Sequence, residues 1–496
     1  MKQKDMLNKA LEQNTLLQRY KSCAALLNWD QEVNMPPDGA EARADVYGEL
    51  AGTISTILND KSFKENIISL FEQRADFNAL EKRFIEKLHN DSKLAWKTPK
   101  ALTVELAETS ITAQSKWSEA KSLNNYSIFS PYLDKIIDLK KREAESIGYS
   151  DHPYNALLEQ YEPGLNVSML DAVFKNSVDK LKNIRDIYLE TSTTSKRHRL
   201  TKERQKTAIN EIAQSVGFDF KKGRIDPGKH PATEFIHKND TRVIARFDEH
   251  SISTGIFLTI HEIGHALYYQ NIDQKYYNTP IYEGASTAMH EAMARLFENN
   301  IGKSYSFIKG HLQSFKEEND HNTTVDQIVK SVNSISTSPL RFDADEITYV
   351  FHIFIRYEIE KMLIEGSLKT KDVPEFWNSQ FNDLLGIKVS SDSEGCLQDV
   401  HWSCGLIGYF PTYYAGTLYA STIHKCMQEN IENFESKIEK MDLKPINEWL
   451  TTNIYQHGSL YEPSEIMKRI SGKEEISSMI ETFIFYIENK FKNIFG

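Results

Sequence analysis

His261, Glu262 and His265, in the stretch LTIHEIGHALYYQ, form the pattern H-E-x-x-H. The surrounding residues are good helix formers, and positions i and i+4 of a helix share one face, so both imidazoles can reach a single ion. Glu262 lies about 100° around the helix axis from His261. It can therefore act on a water beside the ion without ligating the ion itself. The pattern predicts two metal ligands and a general base of a zinc hydrolase.

A third ligand is expected on a second helix, in EGASTAMHEAMARLFENN. Glu291 lies within this apolar run, where a carboxylate is costly to bury without a cation. His290 is its neighbour, and spacing alone does not separate the two, although Glu291 is favoured. Two histidines and a glutamate leave one coordination position open, which is typical of catalytic zinc sites. We therefore expect one divalent metal per chain, zinc in preference to others.

Composition limits the partners and the compartment. The chain of 496 residues carries a formal net charge of −11, which argues against nucleic acid or an anionic membrane as the main partner. Its four cysteines include no C-x-x-C pair, as expected in a reducing compartment. No apolar signal segment stands near residue 1, and no run approaches about eighteen apolar residues. The sequence predicts a soluble cytoplasmic protein.

Helical periodicity dominates the chain, and strand-like alternation is rare. We expect a mainly α fold in a single domain, residues 1–496, with helices at 1–21, 41–58, 79–90, 104–124, 168–188, 351–365 and 475–495. The exception is Asp226–Asp248, in which TEFI and TRVIARF flank a Lys-Asn-Asp turn. This composition predicts a β-hairpin just before the metal-binding helix, where an edge strand could hold an extended peptide.

Five further stretches carry a resemblance to a known family. They are WDQEVNMPPDGAEARA (Trp29–Ala44), GYSDHPYNALLEQYEPG (Gly148–Gly164), DTRVIARFDE, LRFDADEITYVFHIFIRYEIE (Leu340–Glu360) and GCLQDVHWSCGLIGYFPTYYAG (Gly395–Gly416). Together with the two metal-binding stretches, they resemble the M32 family of metallocarboxypeptidases, of the thermostable carboxypeptidase 1 type. The resemblance runs in family order along nearly the whole chain.

The resemblance implies a helical domain with a deep substrate groove, one wall or lid of which is formed by the N-terminal helices of residues 1–100. It implies a homodimer that releases single amino acids from the free C-terminus of peptides, with zinc or cobalt as the metal. Carried over residue by residue, the ligands are His261, His265 and Glu291, and the general base is Glu262.

Other family motifs supply candidates for substrate binding and for holding the oxyanion. The matching positions are His230 of His-Pro-Phe, Asp240 and Arg242 of Asp-x-Arg-x-Thr, Arg341 of Ile-Arg-x-x-Ala-Asp, and Gln398 and His401 of Gly-x-x-Gln-Asp-x-His-Trp. A guanidinium fork suits a terminal carboxylate, and Arg341 is preferred to Arg242. Among His230, His401 and Tyr409 as oxyanion donors, His401 is preferred.

Several positions depart from the family pattern. Ala232 replaces its phenylalanine, Ile244 its threonine, and Ala292-Met293-Ala294 a more polar run after the third ligand. These lost polar groups leave open a catalytically silent peptide-binding protein. A zinc endopeptidase or dipeptidyl carboxypeptidase also stays open, because such enzymes share the helical groove and the H-E-x-x-H plus glutamate pattern.

Overall fold

The computed structural model describes residues 3–193, 198–228 and 230–496, and most of these residues are helical. The first ten α-helices are α1 (Gln3–Val33), α2 (Ala40–Leu58), α3 (Lys61–Glu72), α4 (Ala79–Lys97), α5 (Lys100–Ser122), α6 (Ser130–Ile147), α7 (Tyr154–Leu158), α8 (Val167–Thr193), α9 (Lys202–Ser215) and α10 (Leu258–Asn271). The next ten are α11 (Thr287–Arg295), α12 (Tyr305–Gly310), α13 (Val325–Val332), α14 (Thr348–Glu365), α15 (Val373–Leu385), α16 (Pro411–Asn430), α17 (Phe434–Glu439), α18 (Lys444–Asn453), α19 (Pro463–Ser471) and α20 (Ile480–Phe495). The mainly α prediction is confirmed.

The predicted helices all occur, with shifted ends. Helix α1 continues past the predicted end at Lys21 to Val33, because Ala25, Trp29 and Val33 follow at i, i+4 and i+8 and pack in one apolar cluster. Helix α20 begins at Ile480, because a 3₁₀ turn occupies Ile476–Met479. Two further segments are π-helical, Ser253–Phe257 before α10 and Leu296–Gly302 after α11. No helix in the described part of the chain has an apolar stretch long enough to cross a membrane.

The described residues fall into two compact units. The first draws on residues 1–96, 197–332 and 422–474, and the second on residues 97–196, 333–421 and 475–496. The H-E-x-x-H helix and the predicted hairpin belong to the first unit. Arg341, Gln398, His401 and Tyr409 belong to the second. A single functional domain with an N-terminal wall or lid stays a prediction.

A small sheet packs against the H-E-x-x-H helix. Its strands are β1 (Gly223–Pro227), β2 (Ala232–His237) and β3 (Asp240–Ala245), in the order β1-β3-β2. Strands β2 and β3 form the predicted hairpin, and Asn239 adopts a left-handed φ of 62° in its turn. Strand β1 was not expected from the sequence, because it contains Gly and Pro and pairs in parallel with a strand farther along the chain. Lys229 lies outside the described residues.

Two of the departures from the family pattern face each other in this sheet. Ala232 on β2 is the cross-strand partner of Ile244 on β3. Ile244 is buried in a cluster with Trp29 and Ile236, and Ala232 packs against that cluster. A small residue therefore lies opposite a larger one, and such volume-conserving exchanges are tolerated in cores. These two departures affect packing between α1 and the sheet.

Gly264, between the two histidines of the motif, allows α10 and α11 to touch. A Cβ atom there would lie 2.6 Å from the carbonyl oxygen of Met293 and 2.7 Å from the Cα of Ala294. Both atoms belong to the backbone of α11, which cannot move aside as a flexible side chain would. The close approach brings Glu291 of α11 alongside the histidines of α10.

We expect Gly264→Ala to separate these two helices and to destabilise the protein by about 1–3 kcal/mol, the usual cost of overpacking a core. Metal affinity should fall with it. The control is Gly52→Ala in helix α2, where an added Cβ would meet no atom within 4 Å. That variant should be neutral or slightly stabilising, since Ala favours helix. Thermal unfolding of both variants checks this, and equal midpoints would contradict the close-packing account.

Candidate metal centre

Three side chains converge between α10 and α11. His261, His265 and Glu291 each present a donor atom, and the three atoms lie within 4.8 Å of one another. The Glu291 Oε2 atom is 3.6 Å from His261 Nε2 and 3.9 Å from His265 Nε2. Tetrahedral zinc with bonds of about 2.0–2.2 Å holds its ligands roughly 3.4 Å apart. Two imidazole nitrogens and one carboxylate oxygen at this spacing fit a divalent metal.

His290, the alternative third ligand, lies in a different environment. Its ring packs against Tyr268 and Tyr269, with centroid distances of 4.7 and 4.4 Å. Burial lowers the pKa of this imidazole to about 4. Its main chain accepts a hydrogen bond from the ring of His265, a contact of the kind that orients a metal-binding histidine. The geometry therefore groups Glu291, and not His290, with the two histidines.

Glu298, in the π-helical segment, supports the other histidine. Its Oε2 atom lies 3.0 Å from His261 Nδ1, which leaves Nε2 of that ring free to bind a metal. Lys303 donates to Glu298 Oε1 at 2.9 Å, and Arg295 donates to Glu298 Oε2 at 3.4 Å and to Glu291 Oε1 at 2.7 Å. The extra residue of the π-helix places Lys303, five positions on, beside Glu298. Arg295 thus orients both carboxylates.

The surrounding charges shift the pKa values of the two histidines in opposite directions. Burial raises the pKa of Glu298, but Lys303, Arg295 and His261 hold it well below its usual range. Burial lowers the pKa of His265 well below its ordinary value, so its imidazole is neutral and able to ligate. Burial would lower the pKa of His261 as well, but Glu291 and Glu298 raise it above the ordinary value.

Glu262 points toward the sheet side of α10. Its Oε2 atom lies 2.8 Å from the hydroxyl of Thr233 on β2, and the same hydroxyl is 2.7 Å from the main-chain oxygen of Glu262. Burial raises the pKa of this carboxyl group, opposed by His261 and Thr233. A carboxyl group with a raised pKa is suited to taking up and releasing a proton.

Arg242 and Asp240 form a closed pair in the same unit. The Nε and Nη2 atoms of Arg242 each lie 2.9 Å from a carboxylate oxygen of Asp240, and the guanidinium stacks 4.3 Å from the Trp29 ring. Glu234 stands directly opposite Arg242 across the sheet. His230 is exposed just before β2. The fork of Arg242 is therefore already engaged by a carboxylate of its own strand.

Arg341 occupies a 3₁₀ turn before α14, in the second unit. Its Nε and Nη2 atoms donate to Asp399 Oδ1 at 3.1 and 3.0 Å, and its Nη1 atom donates to the Tyr349 hydroxyl at 3.1 Å. A guanidinium has five N–H groups, so two remain for a ligand. The buried Arg356 donates to the other oxygen of Asp399 at 2.7 Å. Two guanidinium groups sharing one carboxylate keep a net positive charge.

Gln398 is buried and holds the segment that carries Arg341. Its Oε1 atom accepts a hydrogen bond from the Arg341 main-chain N–H at 2.8 Å. Its Nε2 atom donates to the carbonyl oxygens of Pro339, Glu394 and Gly395. The amide is thus used to fix Arg341 in place. Direct contact of Gln398 with substrate stays a prediction.

His401 and Tyr409 lie together in an aromatic cluster of the second unit. Their ring centroids are 5.8 Å apart, and the Tyr413 hydroxyl is 3.5 Å from His401 Nε2. Burial lowers the pKa of His401 to about 4, and the nearby Arg341 and Arg356 add to this effect. His401 is therefore neutral at neutral pH and can donate one N–H.

Sequence reasoning missed the residues that support the site. Neither the H-E-x-x-H pattern nor the position of Glu291 assigns a role to the four supporting residues, Thr233, Arg295, Glu298 and Lys303. A signal did exist for the second helix, where Glu291, Arg295 and Glu298 follow at i, i+4 and i+7 and so share one helix face. Charged residues on the face that also carries a predicted ligand indicate a hydrogen-bonded network around a metal.

Comparison with known proteins agrees with this arrangement. A family model described as carboxypeptidase Taq (M32) metallopeptidase matches residues 9–491. The chain belongs to the M32 family of metallocarboxypeptidases. It is 35% identical over 486 residues to carboxypeptidase 1 of Bacillus subtilis, covering 97% of this chain and 96% of that protein. It is also 35% identical over 475 residues to thermostable carboxypeptidase 1 of Pyrococcus furiosus, covering 94% of each.

The fold is shared as well. A solved structure of the Pyrococcus furiosus carboxypeptidase is similar with a TM-score of 0.93 and 33% identity, covering 98% of this chain and 99% of that one. Membership of a metallopeptidase family implies a divalent metal, and His261, His265 and Glu291 are a group able to hold it. The family and fold predictions are confirmed.

We expect about one divalent metal per purified chain, and Glu298→Gln should weaken its binding by about 10–100-fold. The glutamine has one acceptor oxygen, and its N–H₂ group would face one of the donors that now bind Glu298. The ring of His261, which Glu298 orients, would then lose its fixed position. Metal content after dialysis against graded chelator concentrations measures this. The exposed Glu318→Gln is the control. Unchanged retention in Glu298→Gln would contradict the role of that carboxylate.

Proposed function

We propose that the protein removes single amino acids from the free C-terminus of peptides, with Glu262 as the general base. The observation that carries the proposal is the group of two partly exposed histidines, His261 and His265, with the buried Glu291. Glu262 lies on the same helix as the histidines. Family membership supports the peptide substrate class. A divalent metal bound by the three ligands would supply Lewis-acid polarisation of the scissile carbonyl group and would acidify water.

Glu262 is suited to both proton transfers of peptide hydrolysis. It takes a proton from the attacking water and then delivers a proton to the departing amine, so that the carboxyl group ends as it began. The Thr233 hydroxyl lies 2.8 Å from Glu262 Oε2 and 2.7 Å from the Glu262 main-chain oxygen, so these two acceptors share its single proton. Burial raises the pKa of Glu262, which brings it closer to the range in which one group can perform both transfers.

An exopeptidase must also recognise a terminal carboxylate, and Arg341 is our candidate. It keeps two N–H groups beyond those bound to Asp399 and Tyr349, and its side chain is 15% exposed. The net positive charge that it shares with Arg356 and Asp399 would be balanced by one substrate carboxylate. Arg242 is the second candidate. Asp240 engages its Nε and Nη2 atoms and balances its charge, and no second arginine shares that carboxylate among the described residues, as Arg356 shares Asp399.

The remaining assignments are part of the same proposal. His401 is the first choice for donating to the oxyanion, because its ring is neutral and able to donate, with Tyr409 and His230 as further candidates. We propose zinc as the native metal, with cobalt as a substitute, a homodimeric assembly and a cytoplasmic location. The four cysteines are free, which supports a reducing compartment.

Replacing the base should separate chemistry from metal binding. We expect Glu262→Gln to retain the metal, since all three ligands remain, and to lose at least about 10²-fold in kcat. Metal content and peptide turnover are measured on the same preparation. Near wild-type turnover with a full complement of metal would show that Glu262 is not the base.

Peptides with a free C-terminus should be shortened one residue at a time, and C-terminally amidated versions should be cut slowly or not at all. A bidentate charge-assisted contact is worth about 2–4 kcal/mol in a partly desolvated site. Arg341→Ala should therefore abolish most of the discrimination, and Arg341→Lys should restore little of it, because an ammonium group cannot reproduce the fork.

A mass-spectrometric time course on matched acid and amide peptides tests this specificity. The control is Arg142→Ala in the same unit, which removes a half-exposed arginine paired with Glu105 and should change nothing. Internal cuts, removal of dipeptides, or equal rates on acid and amide would favour the endopeptidase or dipeptidyl carboxypeptidase alternative. Intact discrimination in Arg341→Ala would move the carboxylate anchor to Arg242. Metal-loaded protein that cuts no unblocked peptide would favour the silent peptide-binding protein.

A further inference from the structure

Glu360, near the end of α14, is a fully buried carboxylate that the proposed chemistry does not use. It accepts three hydrogen bonds: from the Trp402 indole N–H at 2.8 Å, from the Tyr154 hydroxyl at 2.6 Å and from the Gly408 main-chain N–H at 2.8 Å. It forms no ion pair with a described residue. Arg356, one turn earlier on α14, is engaged by Asp399.

Two of these three donors mark the ends of one loop. Trp402 begins the loop and Gly408 ends it, so the carboxylate of Glu360 ties residues 402 and 408 together. His401 immediately precedes this loop, and Tyr409 immediately follows it. The two residues assigned to the oxyanion are thus the direct neighbours of the two residues held by Glu360.

The loop also packs closely against helix α7 at Gly408. Gly408 has a φ of 97°, and a Cβ atom there would lie 3.0 Å from the main chain of Leu157 in α7. Tyr154 of α7 is the third donor to Glu360, and the ring of Tyr161, just after α7, packs 5.3 Å from the ring of Tyr409. Helices α7 and α14 therefore both support the loop through Glu360.

His401 needs such support because its own hydrogen bonds do not hold it. Its Nδ1 atom has no hydrogen-bond partner among the described residues, and its Nε2 atom meets Tyr413 only at 3.5 Å. The ring is held mainly by packing on Phe410, with a centroid distance of 4.5 Å. Its position then depends on the backbone that carries it, and this backbone is fixed by Glu360.

We propose that Glu360 is a positioning residue for the 402–408 loop and thereby for His401 and Tyr409. The inference rests on the proposed function, which assigns the oxyanion to these two residues. Two acceptor oxygens are required, because the Trp402 indole N–H and the Gly408 main-chain N–H donate to opposite oxygens of Glu360 and neither group can accept. A glutamine has one acceptor oxygen, and its N–H₂ group would face the donor of Trp402 or of Gly408.

The test compares Glu360→Gln with Glu162→Gln, both in the metal-loaded enzyme. Glu162 is a matched control, since it is buried in the same unit and accepts a hydrogen bond from a tyrosine, Tyr419, at 3.4 Å. We expect kcat to fall at least about 10-fold in Glu360→Gln, with KM and metal content nearly unchanged, because small displacements of reacting groups reduce the rate steeply. Glu162→Gln should keep the wild-type kcat.

Hydrogen exchange supplies a readout that does not depend on activity. The amide of Gly408 should exchange faster in Glu360→Gln than in wild type, while amides of α10 and α11 keep their protection. Should Glu360→Gln fail to fold, Trp402→Phe removes one loop donor and leaves the carboxylate in place, and the same fall in kcat is expected.

An unchanged Gly408 amide, or equal kcat in Glu360→Gln and wild type, would overturn the proposal, as would a loss of kcat explained by loss of metal. Failure of the proposed function has a different signature. Wild-type enzyme that shortens no unblocked peptide would overturn that function, while the exchange of the Gly408 amide would still decide whether Glu360 holds the loop.

Discussion

The pairing of buried carboxylates with buried cations beside His261 and His265 is the interaction on which the candidate metal site depends. Glu291 and Glu298 are matched by Arg295 and Lys303, which donate to them at 2.7–3.4 Å. Glu262 forms no ion pair within 4 Å with a described residue, and only His261 and the Thr233 hydroxyl oppose the rise in its pKa that burial causes. An unpaired buried carboxylate is costly. A divalent cation bound by the two histidines and Glu291 would offset that cost, so the buried charge and the ligand geometry favour a cation at the same place.

This arrangement needs the two helices to approach more closely than most side chains allow. Gly264 permits the contact, and the small side chains of the buried Ala292 and Ala294 leave room for it on the facing helix α11. The π-helical segment after α11 then advances the chain by one residue, which puts Lys303 beside Glu298. Packing and electrostatics are therefore coupled, because a residue bulkier than Gly264 would push the two helices apart and so separate Glu291 from the histidines.

Much of this could be predicted from the sequence, and the limit has a physical reason. The i, i+4 histidines, the helix of Glu291 and the hairpin before α10 are local patterns, and each was predicted. Strand β1 and the pairing of Arg341 with Asp399 were not, because they join segments that are far apart in the sequence. Local periodicity carries no information on which distant segment will supply a partner. The Thr233 contact to Glu262 was missed for the same reason.

The positions of the departing residues in the fold explain how the protein accommodates them. Ala232 and Ile244 are cross-strand partners, so a lost side chain and a gained one occupy the same packing layer. Ala292, Met293 and Ala294 are wholly buried. Apolar residues satisfy such an environment without hydrogen bonds, whereas polar ones would need partners. The groups that contact the histidines, Glu291 and Glu298, are kept. These departures therefore change how the scaffold of the site is packed, while the donor atoms that could hold a divalent metal are kept.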